Sequence, residues 1–547
     1  MPHPSPYKID IPDVDILSFL FPADKPASNK PIWINAENPD HSLSPAQLLQ
    51  WVRRLGAGLD ALRIPQNEVV MMFSSNHIFV PVVYLGVAGS GRIFSGCNPA
   101  YGVDETAFQI SNTGAKLILV EPPYLPIVLK AAAKHSFPLD RIFLFSDTPC
   151  QPNSSIQDWS TFLPTPSASS RWSWPHLPSS TVAVLNYSSG TTGLPKGVMI
   201  THGNIIANVL QSLYMRSLAS ATTTTPSPSP SPERWLGFSP LYHAFGQLWT
   251  ISAAAYTHTP VYLMRSFALP SFLSHLQTHR ITHLQTAPPV LVLLAKRPEV
   301  ASHDLSSLRN ILCGAAPLSA DLQNAVSQKL NVKVVQTWGM TELTCSSCHV
   351  PGLMDDRTGS VGPADPNCLV KLLDEEGKEV GVGQPGEMHI RGPNVCAGYW
   401  RNEEATRGAF DEEGYLRTGD VGVRDERGWY WIVDRKKELI KVKGFQVAPA
   451  ELEAVLLEHE GVDDVAVVGV EGGDGEEMPR AYVVRKDGTG VTEEEIRRWM
   501  DGKVAKHKRL EGGVKFVAEV PKSASGKIVR RTMREWAKRD ARPKAKL

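Results

Sequence analysis

The chain has 547 residues, which corresponds to about 3.6 domain-sized units, so more than one hydrophobic core is expected. Lys plus Arg and Asp plus Glu both total 56, and the resulting net charge of zero disfavours binding to nucleic acid or to an anionic membrane. With 42% hydrophobic and 20% charged residues, the composition is that of folded domains and excludes a disordered chain.

The N-terminal segment has no cationic start before an apolar run, so it is not expected to be a secretory signal. No window of about 18 apolar residues occurs, and we expect no transmembrane segment. The seven cysteines are scattered, which favours a reducing compartment over a disulfide framework. Cys345, Cys348 and His349 have the spacing of a c-type haem attachment site, but no second CxxC exists, and we interpret the run as structural.

In chain order, the Ser/Pro-rich stretch around residues 164–180 is predicted to be a linker-like loop, and Thr181–Tyr187 a buried strand that leads into a loop. The segment Ala219–Glu233 is of low complexity and is expected to be a surface insertion. Beyond it, strand-like and helix-like runs alternate, which predicts α/β layers with a mainly parallel sheet. The predicted strands are Val261–Met264, Ile281–Leu284, Asn310–Cys313 and Val332–Val335, and the predicted helices are Pro270–His279 and Ser319–Leu330, the latter with Ser319 as N-cap.

From Leu369 the pattern changes to hairpins, with charged, Gly-bearing turns in KLLDEEGKEV and VRDERGWYWIV. Past Asp434 about 110 residues follow an α+β pattern, enough for an independent domain. We therefore predict a large N-terminal domain (1–433) of layered α/β subdomains with a β-rich subdomain, and a small mobile α+β domain (434–547). The hinge is predicted at residues 434–437.

The strongest chemical motif is the run from Tyr187 to Gly197, YSSGTTGLPKG. Its hydroxyls, backbone N–H groups and one lysine suit a polyphosphate, yet the order of residues differs from a Walker A loop. Six further motifs follow along the chain: LYHAFGQ (241–247), CGAAPL (313–318), QTWGMTE (336–342), YLRTGD (415–420), DRKKELIKVKGFQVAPAELE (434–453) and PKSASGKIVRR (521–531). Together they resemble the adenylate-forming superfamily of acyl-CoA synthetases, 4-coumarate-CoA ligases, firefly luciferase and peptide-synthetase adenylation domains, over nearly the whole chain.

The resemblance implies ATP, Mg²⁺ and CoA as reactants and cofactors, with Thr341 and Glu342 as oxygen ligands of the magnesium ion. Asp420 is implied to accept the ribose hydroxyls, and Arg435 to hold the nucleotide from the hinge side. The implied ATP or AMP contacts are Ser188, Ser189, Gly190, Thr191, Thr192, Lys196, Gln336, Thr337, Thr341, Asp420, Arg435 and Lys527.

Lys527 matches the family lysine that contacts the acyl carboxylate and the α-phosphate, where a cation stabilises developing negative charge. The family's small domain rotates at the hinge between the two half-reactions, so that the loop 441–446 replaces Lys527 at the active site. Lys443 and Gly444 match positions associated with the pantetheine arm of CoA. Arg265 stands where related ligases carry a CoA-binding lysine, and its assignment to CoA is doubtful.

His243 matches a gate between acyl pocket and thiol tunnel, and with Lys527 it forms the predicted catalytic pair. No Asp or Glu lies between Pro240 and Trp249 to pair with a substrate ammonium, which disfavours an amino acid. The apolar lining suits an aryl, arylpropenoyl or medium-chain acyl group. The predicted acyl contacts are His243, Phe245, Gly314, Ala316, Trp338, Met340, Lys437, Lys441 and Gln446.

We therefore expect an ATP-dependent acid-CoA ligase whose partners are a carboxylic acid and CoA. The alternatives are an acyl-AMP ligase that loads a carrier protein, a luciferase-like oxygenase and a catalytically inactive binding protein. The terminal tripeptide Ala545-Lys546-Leu547 resembles a peroxisomal address, which predicts recognition by a peroxisomal import receptor and a peroxisomal location, with the cytoplasm as the alternative.

Overall fold

The computed structural model describes residues 2–148, 150, 156–188, 195–218, 232–442, 445–472, 477–523 and 526–540. Most of the predicted phosphate loop (Ser189, Gly190, Thr191 and Thr192), the CoA positions Lys443 and Gly444, most of the predicted insertion and the terminal tripeptide lie outside these residues. No helix among the described residues is long and apolar enough to cross a membrane.

Two large, mainly parallel sheets form the layered part of the N-terminal domain, each with antiparallel pairing at one or both ends. The first has six strands in the spatial order Ile142–Leu144, Leu117–Val120, Val69–Phe73, Ile93–Cys97, Val182–Ser188 and Lys196–Thr201. The second has eight, in the order Cys348–His349, Lys333–Trp338, Asn310–Cys313, His283–Thr286, Trp235–Gly237, Val261–Leu263, Trp33–Asn35 and Ser42–Leu43. Non-consecutive neighbours with intervening helices are the signature of α/β layers.

A third, antiparallel sheet forms the β-rich subdomain. Its five strands are His3–Pro4, Leu369–Leu373, Gly386–Arg391, Leu416–Arg424 and Tyr430–Arg435. The C-terminal part contains a two-stranded sheet, Ile440–Val442 with Phe445–Val447, and a three-stranded sheet, Val462–Glu471, Glu477–Arg485 and Val514–Phe516. The fold is therefore mixed α/β with a small α+β domain at the C-terminus, as predicted.

Helices cover the sheets and connect their strands. The α-helices are Ile16–Leu20, Pro45–Ala61, Val80–Gly89, Val103–Thr113, Leu125–Ala133, Pro166–Ser169, His202–Ser217, Ala244–Gly246, Ala254–Thr257, Leu269–Thr278, Pro288–Lys296, Ala320–Leu330, Glu403–Ala409, Pro449–Leu457, Glu493–Asp501 and Arg530–Asp540. A π-helix spans Gln247–Ala253, and the 3₁₀ turns are Pro122–Tyr124, Leu139–Arg141, Trp159–Phe162, Pro298–Ser302, Thr341–Leu343, Pro351–Leu353 and Lys506–Lys508. Ser319 caps Ala320–Leu330 by accepting from the N–H of Leu322, as its sequence predicts.

The stretch 164–180 is not a free linker. Trp172 packs beside Gly56, and its indole N–H donates to Asp60 at 2.8 Å. The indole of Trp174 donates to Ser18 Oγ at 3.0 Å. Apart from the short helix Pro166–Ser169 the stretch is an irregular loop, as predicted. The two tryptophans anchor it to the helices Pro45–Ala61 and Ile16–Leu20, so its linker-like character is not confirmed.

Two further predictions need correction. The turn in KLLDEEGKEV exists, but Leu373 and Glu379 form only an isolated bridge, and the strand Leu369–Leu373 pairs along its length with Gly386–Arg391. The end of the predicted insertion is also structural, because Arg216 pairs with Glu233 at 3.0 Å. The same carboxylate accepts from the Trp235 indole at 2.8 Å.

Candidate active site

The site lies where the C-terminal domain meets the carboxyl ends of the second sheet. Two adjacent spaces occupy it, and both are bordered by Ala315, Thr337, Trp338, Gly339 and Lys527. The smaller one, which we call the narrow cavity, is lined by His243, Ala244, Phe245, Ala315, Thr337, Trp338, Gly339, Met340, Thr341, Cys345, Ser346 and Lys527. The larger one, the interdomain cleft, contains Ala316, Gln336, Asp420 and Arg435.

Lys527 reaches both spaces from a tight turn in the C-terminal domain. Its N–H donates to Ser523 Oγ at 3.1 Å, and its carbonyl accepts from the N–H of Ser523 at 2.7 Å. The turn requires glycine at position 526, where φ is +81° and an added Cβ would lie 3.0 Å from the Pro289 ring. The sequence SGK therefore brings the lysine against the N-terminal domain.

Burial and neighbouring charges shift the pKa of Lys527. Desolvation and the charge of Arg435 lower the pKa of Lys527, while Asp420 and Glu342 oppose that shift. Desolvation is also the main cause that lowers the pKa of His243 to about 3, with the Lys527 charge adding to it. His243 is consequently neutral at physiological pH, and Lys527 is the one lysine or arginine among the described residues that line the narrow cavity.

Asp420 occupies the interdomain cleft with two partners. The Trp338 indole donates to its Oδ2 at 2.8 Å, and the Arg435 Nε lies 3.4 Å from its Oδ1. The antiparallel register sets Asp420 opposite Arg435 on adjacent strands. Burial raises the pKa of Asp420, and Arg435 and the Trp338 hydrogen bond counteract that rise. A carboxylate fixed in this way suits a pair of vicinal hydroxyls, as the prediction for ribose requires.

The predicted metal ligands lie on the other side of the narrow cavity. Glu342 is buried in the 3₁₀ turn Thr341–Leu343, and its Oε1 accepts from Ser188 Oγ at 3.1 Å and from the Tyr399 hydroxyl at 3.0 Å. Thr341 lines the cavity itself. A hydroxyl beside a held carboxylate is an oxygen donor set that fits Mg²⁺. Lys196 lies opposite Ser188 on the adjacent antiparallel strand, and its ammonium is 5.0 Å from the Tyr399 ring centre.

Gln336, a predicted nucleotide contact, borders the interdomain cleft and donates to Leu318 O at 3.0 Å. Some predicted acyl contacts are placed differently from expectation. Ala316 borders the cleft and is not among the described residues that line the narrow cavity. Trp338 lines the narrow cavity, and its indole N–H also donates to Asp420, which lies in the cleft. Gly314 packs under Thr337, where an added Cβ would lie 2.8 Å from the Thr337 methyl group, so its lack of a side chain serves packing.

Three predicted acyl contacts of the C-terminal domain lie away from both spaces. Lys437, Lys441 and Gln446 are exposed, and Gln446 donates to Glu375 at 2.9 Å. The rotation predicted at the hinge would exchange the loop 441–446 with Lys527. Their acyl-binding role stays a prediction.

Arg265 is held between two carboxylates. It pairs with Glu121 and, at 2.6 Å, with Asp147, and these acids lie close to its guanidinium from two sides. The Glu121 carboxylate is further bound by the hydroxyl of Ser75 at 2.5 Å. Two buried acids more than neutralise this arginine, which removes the physical basis for a CoA-phosphate contact in this arrangement.

The cysteine pair and the histidine after it face different surroundings. Cys345 lines the narrow cavity, Cys348 is buried, and the His349 Nδ1 faces Asp365 Oδ1 at 2.8 Å. Within the described ranges no group of three or more His, Cys, Asp or Glu side chains could hold a metal ion. Sequence reasoning missed Cys345 and Ser346 as cavity residues and Tyr399 as a partner of Glu342. The first two follow Glu342 closely enough to have been found, whereas Tyr399 is brought in only by the tertiary fold.

Comparison with known proteins agrees with this geometry. The profile of the family described as AMP-binding enzyme matches residues 21–400, and that of its C-terminal domain matches residues 451–527. A phenylacetyl-CoA ligase of Aspergillus niger is 36% identical, with 97% of this chain and 98% of that protein covered. A probable 4-coumarate-CoA ligase of Dictyostelium discoideum is 35% identical, with 89% and 88% covered.

A solved structure shares the overall architecture. The ATP-bound MatB of Rhodopseudomonas palustris superposes with a TM-score of 0.83 at 27% identity, covering 96% of this chain and 99% of that one. The anthranilate CoA ligase AuaEII in complex with anthranoyl-AMP gives a TM-score of 0.85 at 24% identity, a likeness of fold. The chain belongs to the AMP-binding, adenylate-forming enzymes, and it is a ligase of that family.

Proposed function

We propose that the protein is an ATP-dependent acid-CoA ligase for a hydrophobic carboxylic acid of the aryl, arylpropenoyl or medium-chain class. In the first step a carboxylate oxygen attacks the α-phosphorus of ATP, the bond to the β-phosphate oxygen breaks, and acyl-AMP and pyrophosphate result. In the second step the CoA thiol attacks the acyl carbon, and AMP leaves. Relatives that are named phenylacetyl-CoA and 4-coumarate-CoA ligases support this reaction and an aromatic acid.

The observation that carries the proposal is the convergence at Lys527. Its ammonium borders the narrow cavity, where the acid would lie, and the interdomain cleft, where Asp420 would hold the ribose. A cation at that junction stabilises the charge that develops between carboxylate and phosphate. Magnesium held by Thr341 and Glu342 would neutralise phosphate charge.

The cavity lining supports the acid class. Phe245, Trp338 and Met340 supply apolar surface, and no acidic side chain is among the described residues that line the narrow cavity. An α-ammonium group would therefore lose its hydration without a compensating charge.

The test uses purified protein with ATP, Mg²⁺ and a panel of aryl, arylpropenoyl and aliphatic acids, with and without CoA, followed by mass spectrometry. The expected product is one acyl-CoA series together with AMP. If acyl-AMP accumulates despite CoA, the acceptor is a carrier protein instead. If no acid of the panel yields either product, the proposal is wrong.

Import into peroxisomes through Ala545-Lys546-Leu547 remains a prediction. Removal of Leu547 and imaging of the protein in cells would test it.

A further inference from the structure

The carboxylate of Glu342 is held through a single oxygen. Ser188 Oγ and the Tyr399 hydroxyl both donate to Oε1, at 3.1 Å and 3.0 Å. Among the described residues, none donates a hydrogen bond to the other oxygen, Oε2. Two donors on one oxygen fix the plane of the carboxylate and leave the other oxygen for a ligand, as partners of metal-binding groups commonly do.

Tyr399 belongs to a segment whose backbone is hydrogen-bonded to both Glu342 and Gly197. We call residues 396–400 the clamp segment. The N–H of Cys396 donates to the carbonyl of Glu342 at 2.8 Å, so the clamp segment holds the backbone of that residue as well as its side chain. The N–H of Trp400 donates to the carbonyl of Gly197 at 2.8 Å, next to Lys196.

The ring of Tyr399 serves the second charged group. The Lys196 ammonium lies 5.0 Å from the ring centre, within range for a cation–π interaction. One side chain therefore contacts the predicted metal carboxylate through its hydroxyl and the predicted phosphate lysine through its ring. Glu342 and Lys196 are 146 residues apart in the sequence, and Tyr399 links them in space.

We propose that Tyr399 is a positioning residue for the metal–triphosphate site, with the hydroxyl orienting Glu342 and the ring orienting Lys196. This inference rests on the proposed function, because it takes Glu342 as a magnesium ligand and Lys196 as a phosphate contact. The two halves of the side chain are separable by mutation. Tyr399→Phe removes the hydroxyl and keeps the ring, and Tyr399→Leu removes both.

The experiment measures ATP binding by titration calorimetry, once with Mg²⁺ and once with EDTA. Loss of a hydrogen bond to a charged group should raise the Kd of Mg²⁺–ATP about 10-fold in Tyr399→Phe. The Kd of metal-free ATP should stay at the wild-type value in that variant. Tyr399→Leu should raise the Kd of metal-free ATP about 3-fold as well, because Lys196 has lost its ring.

A matched control is Tyr430→Phe, which removes the hydroxyl of a buried tyrosine in the core of the β-rich subdomain, outside both spaces of the site. It should leave both Kd values unchanged, whereas a loss of binding caused by general destabilisation would appear in both proteins. Thermal unfolding of each variant shows whether it is folded. Equal Kd values for Mg²⁺–ATP in wild type and Tyr399→Phe would overturn the inference. If the wild type itself binds no ATP and forms no acyl-AMP, the proposed function has failed first.

Discussion

At the scale of single residues, Lys527 is distinguished by its charged surroundings. Arg435 repels its ammonium, and Asp420 and Glu342 attract it. Burial and Arg435 lower the pKa of Lys527, and the two acids oppose that shift. Lys527 is also the residue of the C-terminal domain that borders both the narrow cavity and the interdomain cleft.

Lys527→Ala should slow acyl-AMP formation at least about 100-fold, because it removes the cation beside the reacting phosphate. Single-turnover measurement with radiolabelled ATP would give the rate, and circular dichroism would show that the fold persists. Lys538→Ala is the matched control, since that lysine is exposed on the helix Arg530–Asp540 and lines neither space of the site. A near-normal rate in Lys527→Ala would contradict the catalytic assignment.

At the scale of elements, the helix Pro449–Leu457 and the helix that begins at Arg530 meet over a cluster of acids. Arg530 pairs with Glu453 at 2.9 Å and with Glu438 at 3.1 Å, and it also lies in the field of Asp434. One guanidinium thus serves three carboxylates. Burial is the main cause that raises the pKa of Glu453 to about 7.

This cluster predicts a pH effect on stability. The unfolded chain releases the Glu453 proton near its usual pKa of 4.5 and the folded chain near 7, so the contribution to stability falls as pH rises between these values. Glu453→Gln should remove that decline. The difference in Tm, variant minus wild type, should increase from pH 5 to pH 8 in calorimetric scans. Glu451→Gln, an exposed neighbour on the same helix, should show a constant difference; a constant difference in Glu453→Gln would refute the argument.

The low-complexity insertion gives a second prediction at this scale. Replacing residues 219–231 with a short Gly/Ser linker should leave the rate of acyl-CoA formation within about 2-fold of wild type, since surface loops tolerate such changes. Extending the deletion through Glu233 should lower the Tm, because Arg216 and Trp235 lose their shared partner. Thermal unfolding and steady-state kinetics of the two variants test this. A change of acid selectivity in the shorter deletion would show instead that the insertion reaches the pocket.

At the scale of the whole molecule, a few polar contacts join the C-terminal domain to the helix Pro288–Lys296 and its end. Lys296 Nζ donates to the carbonyl of Val462 at 2.7 Å, and Arg297 lies 3.5 Å from Asp463. Exposed ion pairs contribute about 0.2–1 kcal/mol each, so the Arg297–Asp463 pair adds little to the stability of this boundary. A contact of this strength suits a domain that is predicted to rotate between two steps.

Arg297→Glu places a carboxylate against Asp463 and should disfavour the arrangement with Lys527 in the site. We expect acyl-AMP formation to slow several-fold, while thioester formation from supplied acyl-AMP keeps its rate. Rapid quench measurements of each half-reaction separate the two. Arg407→Glu, which reverses an exposed charge on the distant helix Glu403–Ala409, is the control. Equal slowing of both half-reactions would contradict a role in domain arrangement.

The sequence was most informative where a feature is local. Asn310–Cys313 is a strand with the predicted bounds, and Ser319 caps its helix, because apolar periodicity and capping depend on near neighbours. The charged turn after Leu373 was misleading, since the pairing partner of that strand lies beyond it. Tyr399 could not be predicted, because its relation to Glu342 depends on how the clamp segment folds against the strand Lys196–Thr201.

The position of Lys527 also affects how much of the acyl-AMP intermediate would be lost to hydrolysis. With the lysine between cavity and cleft, a side chain of the C-terminal domain joins the N-terminal residues that line the cavity, and it would hinder the approach of water to a mixed anhydride held there. Spontaneous hydrolysis of that intermediate should then be slow until the small domain turns. Each ATP consumed would consequently yield close to one thioester, and little of the activated acid would escape back into solution as free acid.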